Sequence, residues 1–179
     1  MTKKPEIVKE EDLIKRKDGL VYKKYAKVPF TGVYESFHEY GRLKEKGKTP
    51  HTYSNRQLES YQNYTNGHLK EKGIYKNGKP HGTFEWFKTN GQLEAKINYK
   101  DGKLDGLYEL FYLINGQLRK RGNYKNGRQD GLWEIYYVNG QLRSKGHFKN
   151  GEIHGIYEHF DEEGNLTKSE TWENGKVVE

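Results

Sequence analysis

Dipeptides of the Asn-Gly type recur along this chain at fixed intervals, and a fixed short interval admits few folds. One series runs Asn66-Gly67, Asn90-Gly91, Asn115-Gly116 and Asn139-Gly140, with Tyr40-Gly41 and Glu163-Gly164 in equivalent places. A second series interleaves with it: Asn77-Gly78, Asp101-Gly102, Asn126-Gly127, Asn150-Gly151 and Asn174-Gly175. From Gly67 onward the glycines are 11, 13, 11, 14, 11, 13, 11, 13 and 11 residues apart. Asn-Gly suits a type I′ hairpin turn, whose two central residues both need positive φ. Each repeat therefore reads as two strands and two tight turns, with strands of up to ~9–11 residues, or about 30 Å. The extra residue before Asn115 is expected as a strand bulge.

Only 32% of the 179 residues are hydrophobic, too few for a thick core. Fifteen Tyr, seven Phe and three Trp supply large buried area per residue instead, which suits a thin sheet. Strand alternation assigns the faces. A two-residue turn at Asn139-Gly140 pairs Tyr137 with Leu142, Ile135 with Ser144 and Trp133 with Gly146 on one side. It pairs Tyr136 with Arg143 and Glu134 with Lys145 on the other. The same count sets Tyr34 opposite Gly47 and Glu35 opposite Lys46. One face then carries Tyr34, Phe84, Tyr108, Trp133 and Tyr157, the Leu43-to-Leu166 file and Tyr75, Tyr99, Tyr124 and Phe148. An aromatic over a cross-strand glycine fills the space the glycine leaves, so this is the packing face. The other carries Glu and Lys/Arg with Phe37, Phe87, Tyr136 and Phe160.

Residues 1–16 are expected as a flexible or short helical lead to an array at 17–179. An irregular segment is expected at about 48–56, where Pro50 falls and Arg56 stands in a turn-glycine place. With no Cys, there is no disulfide, thiol chemistry or Cys-ligated zinc. No apolar run approaches the roughly 20 residues of a membrane span. Residues 1–18 lack the apolar stretch of a signal peptide. A cytoplasmic protein is expected.

The segment Asn139–Leu166, NGQLRSKGHFKNGEIHGIYEHFDEEGNL, resembles the MORN-repeat variant typical of bacterial proteins of the YwqK-like antitoxin family. Lys17–Gly47 resembles that family's first repeat, and the likeness covers roughly residues 17–179. It implies an all-β fold: an elongated antiparallel β-meander of about six hairpin repeats in a twisted, open single sheet. It implies function by binding, in which a cognate protein toxin or effector is neutralised by contact. Other MORN proteins are membrane-associated scaffolds, so a membrane surface is the alternative partner. The chain departs from the pattern at Arg56, Ile97 and Ser169, where glycine is expected.

The chemistry-bearing residues fit no reactive constellation. None of the seven His pairs at helical ligand spacing, His81 and His154 stand where Asp105 and Asp130 stand in sister repeats, and no Ser lies in a G-x-S-x-G elbow. The file Glu35, Glu85, Glu109, Glu134 and Glu158 alternates with Lys and Arg and reads as a surface ladder. Neither catalytic nor metal residues are assigned, and neither a cofactor nor a small-molecule substrate is expected. The net charge of +7 suits an acidic protein, an anionic membrane or nucleic acid, and equally a solvated mixed-charge surface. A ladder already neutralised by Glu makes a poor phosphate track, which disfavours nucleic acid. Aromatics and Arg are the usual interface anchors. The partner-binding candidates are Phe87, Arg119, Arg121, Tyr136 and Arg143.

Overall fold

Two-residue turns set the frame. Asn126 and Gly127 have φ of 51° and 85°, the double left-handed backbone of a type I′ turn. The other four members of that series repeat it. The computed structural model describes residues 7–43, 51–53, 56–58 and 61–178. Its strands are β1 (Ile7–Lys9), β2 (Leu13–Lys15), β3 (Val21–Lys23), β4 (Gly32–Leu43), β5 (His51–Tyr53) and β6 (Arg56–Leu58). They continue with β7 (Tyr61–Lys76), β8 (Lys79–Pro80), β9 (Gly82–Phe87), β10 (Leu93–Lys100), β11 (Lys103–Phe111) and β12 (Leu118–Lys125). The last are β13 (Arg128–Gln129), β14 (Gly131–Tyr136), β15 (Leu142–Lys149), β16 (Glu152–Phe160), β17 (Leu166–Glu173) and β18 (Lys176–Val177). Strands β4, β7, β9–β12 and β14–β18 join in chain order as an antiparallel meander, with β8 and β13 paired to β7 and β12 and β1 added in parallel beside β4, while β2–β3 and β5–β6 form two separate pairs. The two ends of the order do not meet, so the sheet is open.

The first glycine series closes differently from the expectation. Gly140 alone is left-handed at Asn139-Gly140. Tyr137 N donates to Gln141 O (2.8 Å) and Gly140 N to Tyr137 O (3.0 Å), enclosing a three-residue loop. Asn139 Oδ1 accepts from Gln141 N (2.9 Å), a local bond that holds Asn outside the left-handed region. The extra residue before Asn115 enlarges such a loop rather than bulging a strand: Tyr112 N donates to Gln117 O (2.7 Å) across four residues.

Each of these loops is followed by a bulge. Ile135 stands opposite Ser144 but Tyr136 opposite Leu142, which leaves Arg143 as the extra residue. Lys70, Glu94, Arg119 and Thr167 are the extra residues in the sister strands. The expected pairs Tyr137–Leu142 and Tyr136–Arg143 are thus corrected, while Trp133–Gly146, Glu134–Lys145 and Ile135–Ser144 hold. Ladder partners share a face. Leu69, Leu93, Leu118, Leu142 and Leu166 therefore move to the charged face, the last four opposite Phe87, Phe111, Tyr136 and Phe160.

The rings make the core. Phe84 and Trp133 are 2% and 3% exposed. Tyr75–Phe84 and Phe84–Tyr99 meet edge-on at 5.4 Å, Tyr124–Trp133 at 5.2 Å. Each such pair contributes about 0.5–1.5 kcal/mol beyond its burial. Phe84 lies over Gly73, Trp133 over Gly122 and Tyr157 over Gly146, so closely that a Cβ there would collide with the ring. Trp133 thus covers the glycine of the strand before it, although Gly146 on the strand after it is also in register. Ile97 fills the glycine place opposite Tyr108. In the last repeat that place belongs to Glu170, opposite Tyr157, rather than to Ser169, which faces Glu158.

The amino-terminal part departs most from the sequence reading. Within the expected lead, residues 7–16 hold two strands and a single 3-10 turn at Glu10–Asp12, not an α-helix. Ile7-Val8 is β-branched and extends along β4, where Val8 (4% exposed) packs with Phe30, Tyr34 and Phe84. Tyr40-Gly41 and Asn66-Gly67 are not turns: both lie within strands of one long β4–β7 hairpin. The pairing partner of Tyr34 is Gly73, and the Gly47 and Lys46 expected opposite β4 lie outside the described residues. Gly73 stands in register with Tyr34 as Gly146 does with Trp133, while the ring that covers it is Phe84 of β9. Inside the segment expected to be irregular, β5 pairs with β6 and Arg56 stands opposite Tyr53 in a strand; residues 48–50, 54 and 55 lie outside the described residues.

Candidate partner-binding face

The face opposite the rings is built from two kinds of row. One is charged. Lys72 and Lys96 reach Glu85 at 2.7 and 3.8 Å, and Lys145 reaches Glu158 at 3.0 Å. Glu109 stands in register between Lys96 and Arg121. Arg121 Nε and Nη2 both donate to Glu134 Oε2, at 3.0 and 2.6 Å. Exposed pairs of this kind contribute about 0–1 kcal/mol, so they orient side chains more than they hold the fold. The other row is apolar: Phe87, Phe111, Tyr136 and Phe160, each beside its bulge leucine.

Arg121 and Tyr136 come together around Glu134, on neighbouring strands β12 and β14. The Glu134 carboxylate holds the Arg121 guanidinium above its usual pKa. Burial first, then hydrogen bonding to the Glu134 carboxylate and its charge, raises the Tyr136 phenol, which stays protonated at neutral pH. The other three candidates stand apart. Phe87 is three ladder steps from β12, about 14 Å away, with Lys72 Nζ 5.8 Å from its ring centroid. Arg119 and Arg143 are the exposed bulge residues of β12 and β15, and the Arg143 guanidinium lies 5.7 Å from the Tyr137 ring. Phe111 completes the aromatic row and was missed, because the extra loop residue hid the match of GLYELF with GTFEWF, GLWEIY and GIYEHF.

The ring face also holds ionisable groups. Glu71 is half-buried, with Tyr34 Oη donating to its Oε2 at 3.3 Å, and burial raises its pKa. Burial, reinforced by the Glu71 charge, pushes the Tyr75 phenol up to about 12. Lys120 lies 4.8 Å over the Trp133 ring and its pKa is lowered by burial. Among the described residues no group of three or more His, Asp or Glu is placed to hold a metal ion, and no helix is long and apolar enough to cross a membrane.

The MORN repeat variant matches four segments: residues 56–77, 80–101, 129–150 and 153–174. Each of the last three runs from one two-residue turn to the next and takes in a loop, its bulge and the strands on either side. No curated protein matches the chain. Among solved structures, a Staphylococcus aureus TarM mutant in complex with fondaparinux, alpha-GlcNAc-glycerol and UDP is similar over 54% of this chain and 19% of its own, at 14% identity and a TM-score of 0.35.

Proposed function

From a chain that carries four MORN repeat variants, the mark of a binding or scaffold module, we propose a non-enzymatic protein-binding protein that neutralises a cognate toxin or effector by direct contact. One observation carries the reading. The face opposite the core sets a continuous row of Phe87, Phe111, Tyr136 and Phe160 beside a ladder of charges already fixed in place by cross-strand pairs. Pre-positioned aromatic and arginine side chains lose little freedom when a partner docks, and such residues dominate interface energies. Arg121, Glu134 and Tyr136 orient one another and stand together on this face for a partner. The regular repeat then sets a long surface, and differences between repeats select the partner.

The test starts from the partner isolated by pull-down from the native cell, purified, and titrated calorimetrically against the Tyr136→Ala/Arg143→Ala double variant. A loss of affinity of tenfold or more, with the β circular-dichroism signal unchanged, supports this surface. Wild-type affinity in the double variant rules it out. An isolated partner that is harmless to cells when expressed alone removes the antitoxin part of the reading.

A further inference from the structure

One margin of the sheet carries a feature that repeat architecture does not require. The loops after β9, β11, β14 and β16 stack along it. Asn115 Nδ2 donates to Val138 O (2.6 Å) and Asn139 Nδ2 to Glu162 O (3.0 Å), so the second touches the third and the third the fourth. The loops after β9, β14 and β16 close with three residues; the loop after β11 has one more and still closes on Tyr112. That loop exposes Leu113 at 52% and Ile114 at 81%, and the next exposes Val138 at 44%. The matching stretches of the outer two loops are polar, Thr89-Asn90 and Glu162-Glu163. The aliphatic tips thus form a patch confined to two adjacent loops, with Asp161, Glu162 and Glu163 against one side.

We propose that Leu113, Ile114 and Val138 are the anchor that this protein inserts into an apolar socket of its partner protein, and that basic residues rim the socket on the side facing Asp161–Glu163. The assignment rests on the protein-binding reading above and adds to it the margin that docks. Charge decides the occupant. The exposed Glu162 and Glu163 carboxylates, with Asp161 beside them accepting from Glu163 N, Asn165 N and Asn165 Nδ2, repel an anionic lipid surface and attract a basic rim. Exposed aliphatics cost solubility when left bare, and a rim of opposite charge supplies orientation while the apolar contact supplies binding.

The full chain carrying p-benzoylphenylalanine in place of Ile114, or in place of Arg128 on the opposite margin, is photolysed in the native cell. The captured protein is purified and titrated calorimetrically. The expected result is capture through position 114 and not 128. Affinity then falls tenfold or more in Ile114→Ser, and by a similar factor in the Glu162→Lys/Glu163→Lys double variant, with the β circular-dichroism signal intact. Removing Leu113, which restores the standard loop length, weakens binding in the same way. Equal capture through 128, or wild-type affinity in Ile114→Ser, overturns the assignment. So does binding to vesicles containing 30% phosphatidylserine that is abolished by Ile114→Ser. Loss of affinity in Tyr136→Ala/Arg143→Ala alone keeps the protein-binding reading and discards this anchor. Absence of any captured protein at both positions discards both.

Discussion

The two long margins of the sheet are written in nearly the same dipeptide and folded in different ways. On one, Asn77, Asp101, Asn126, Asn150 and Asn174 all take positive φ with the glycine that follows. On the other, the asparagines at 90, 115 and 139 keep ordinary φ and use their side chains to bond the backbone two residues on. The first margin has no room for variation, because two residues must reverse a strand whose twist admits few turns. The second absorbs an extra residue at 112–117 without disturbing either flanking strand. The difference separates duties: one margin sets register, and the other is free to differ from repeat to repeat.

Four changes test that separation. Trp133→Ala attacks the ring stack beneath both margins and is expected to cost about 3–5 kcal/mol. Urea unfolding should show both margins lost together; separate transitions would mean that they are not coupled through the rings. Replacing Asn126-Gly127 by Ala-Ala forces two side chains into left-handed backbone at about 1–2 kcal/mol each. Its urea midpoint should fall well below that of the same replacement at Asn139-Gly140, where only one residue is left-handed. Equal midpoints would erase the distinction. Tyr137→Phe removes the hydroxyl that donates to Phe160 O at 2.9 Å on the variable margin, an expected loss of about 0.5–1.5 kcal/mol. Deleting Leu113 is expected to shift stability by less than about 0.5 kcal/mol; a large fall would show that the longer loop serves the fold.

The sequence made the repeat, its period and the ring-over-glycine pairing legible, because aromatic spacing and glycine spacing report the same register independently. It concealed the bulges. Nothing in LRSKG marks Arg143 as the extra residue, and one uncounted residue moved the whole leucine file to the wrong face. The amino-terminal strands were hidden for another reason. Ile7-Val8 is too short a run to declare a strand, and its reason for being one lies in Phe30, Tyr34 and Phe84, far along the chain. Among the candidate residues, the matching of Arg121 to the Glu ladder was readable, since cross-strand charge pairing is local, whereas the partner of Tyr136 was not. Phe111 was not, because the unit containing it is one residue longer than its sisters.

Tyr112 Oη donates to Tyr136 O, Tyr137 Oη to Phe160 O, Asn115 Nδ2 to Val138 O and Asn139 Nδ2 to Glu162 O. Each bond spans 23 or 24 residues, one full unit, and points the same way along the chain. A segment duplicated in the gene would arrive with both halves of every such clasp, its donors aimed at the copy ahead and its acceptors offered to the copy behind. Lengthening or shortening the array by whole units therefore needs no compensating change elsewhere, and the reach of the molecule is open to adjustment by recombination alone.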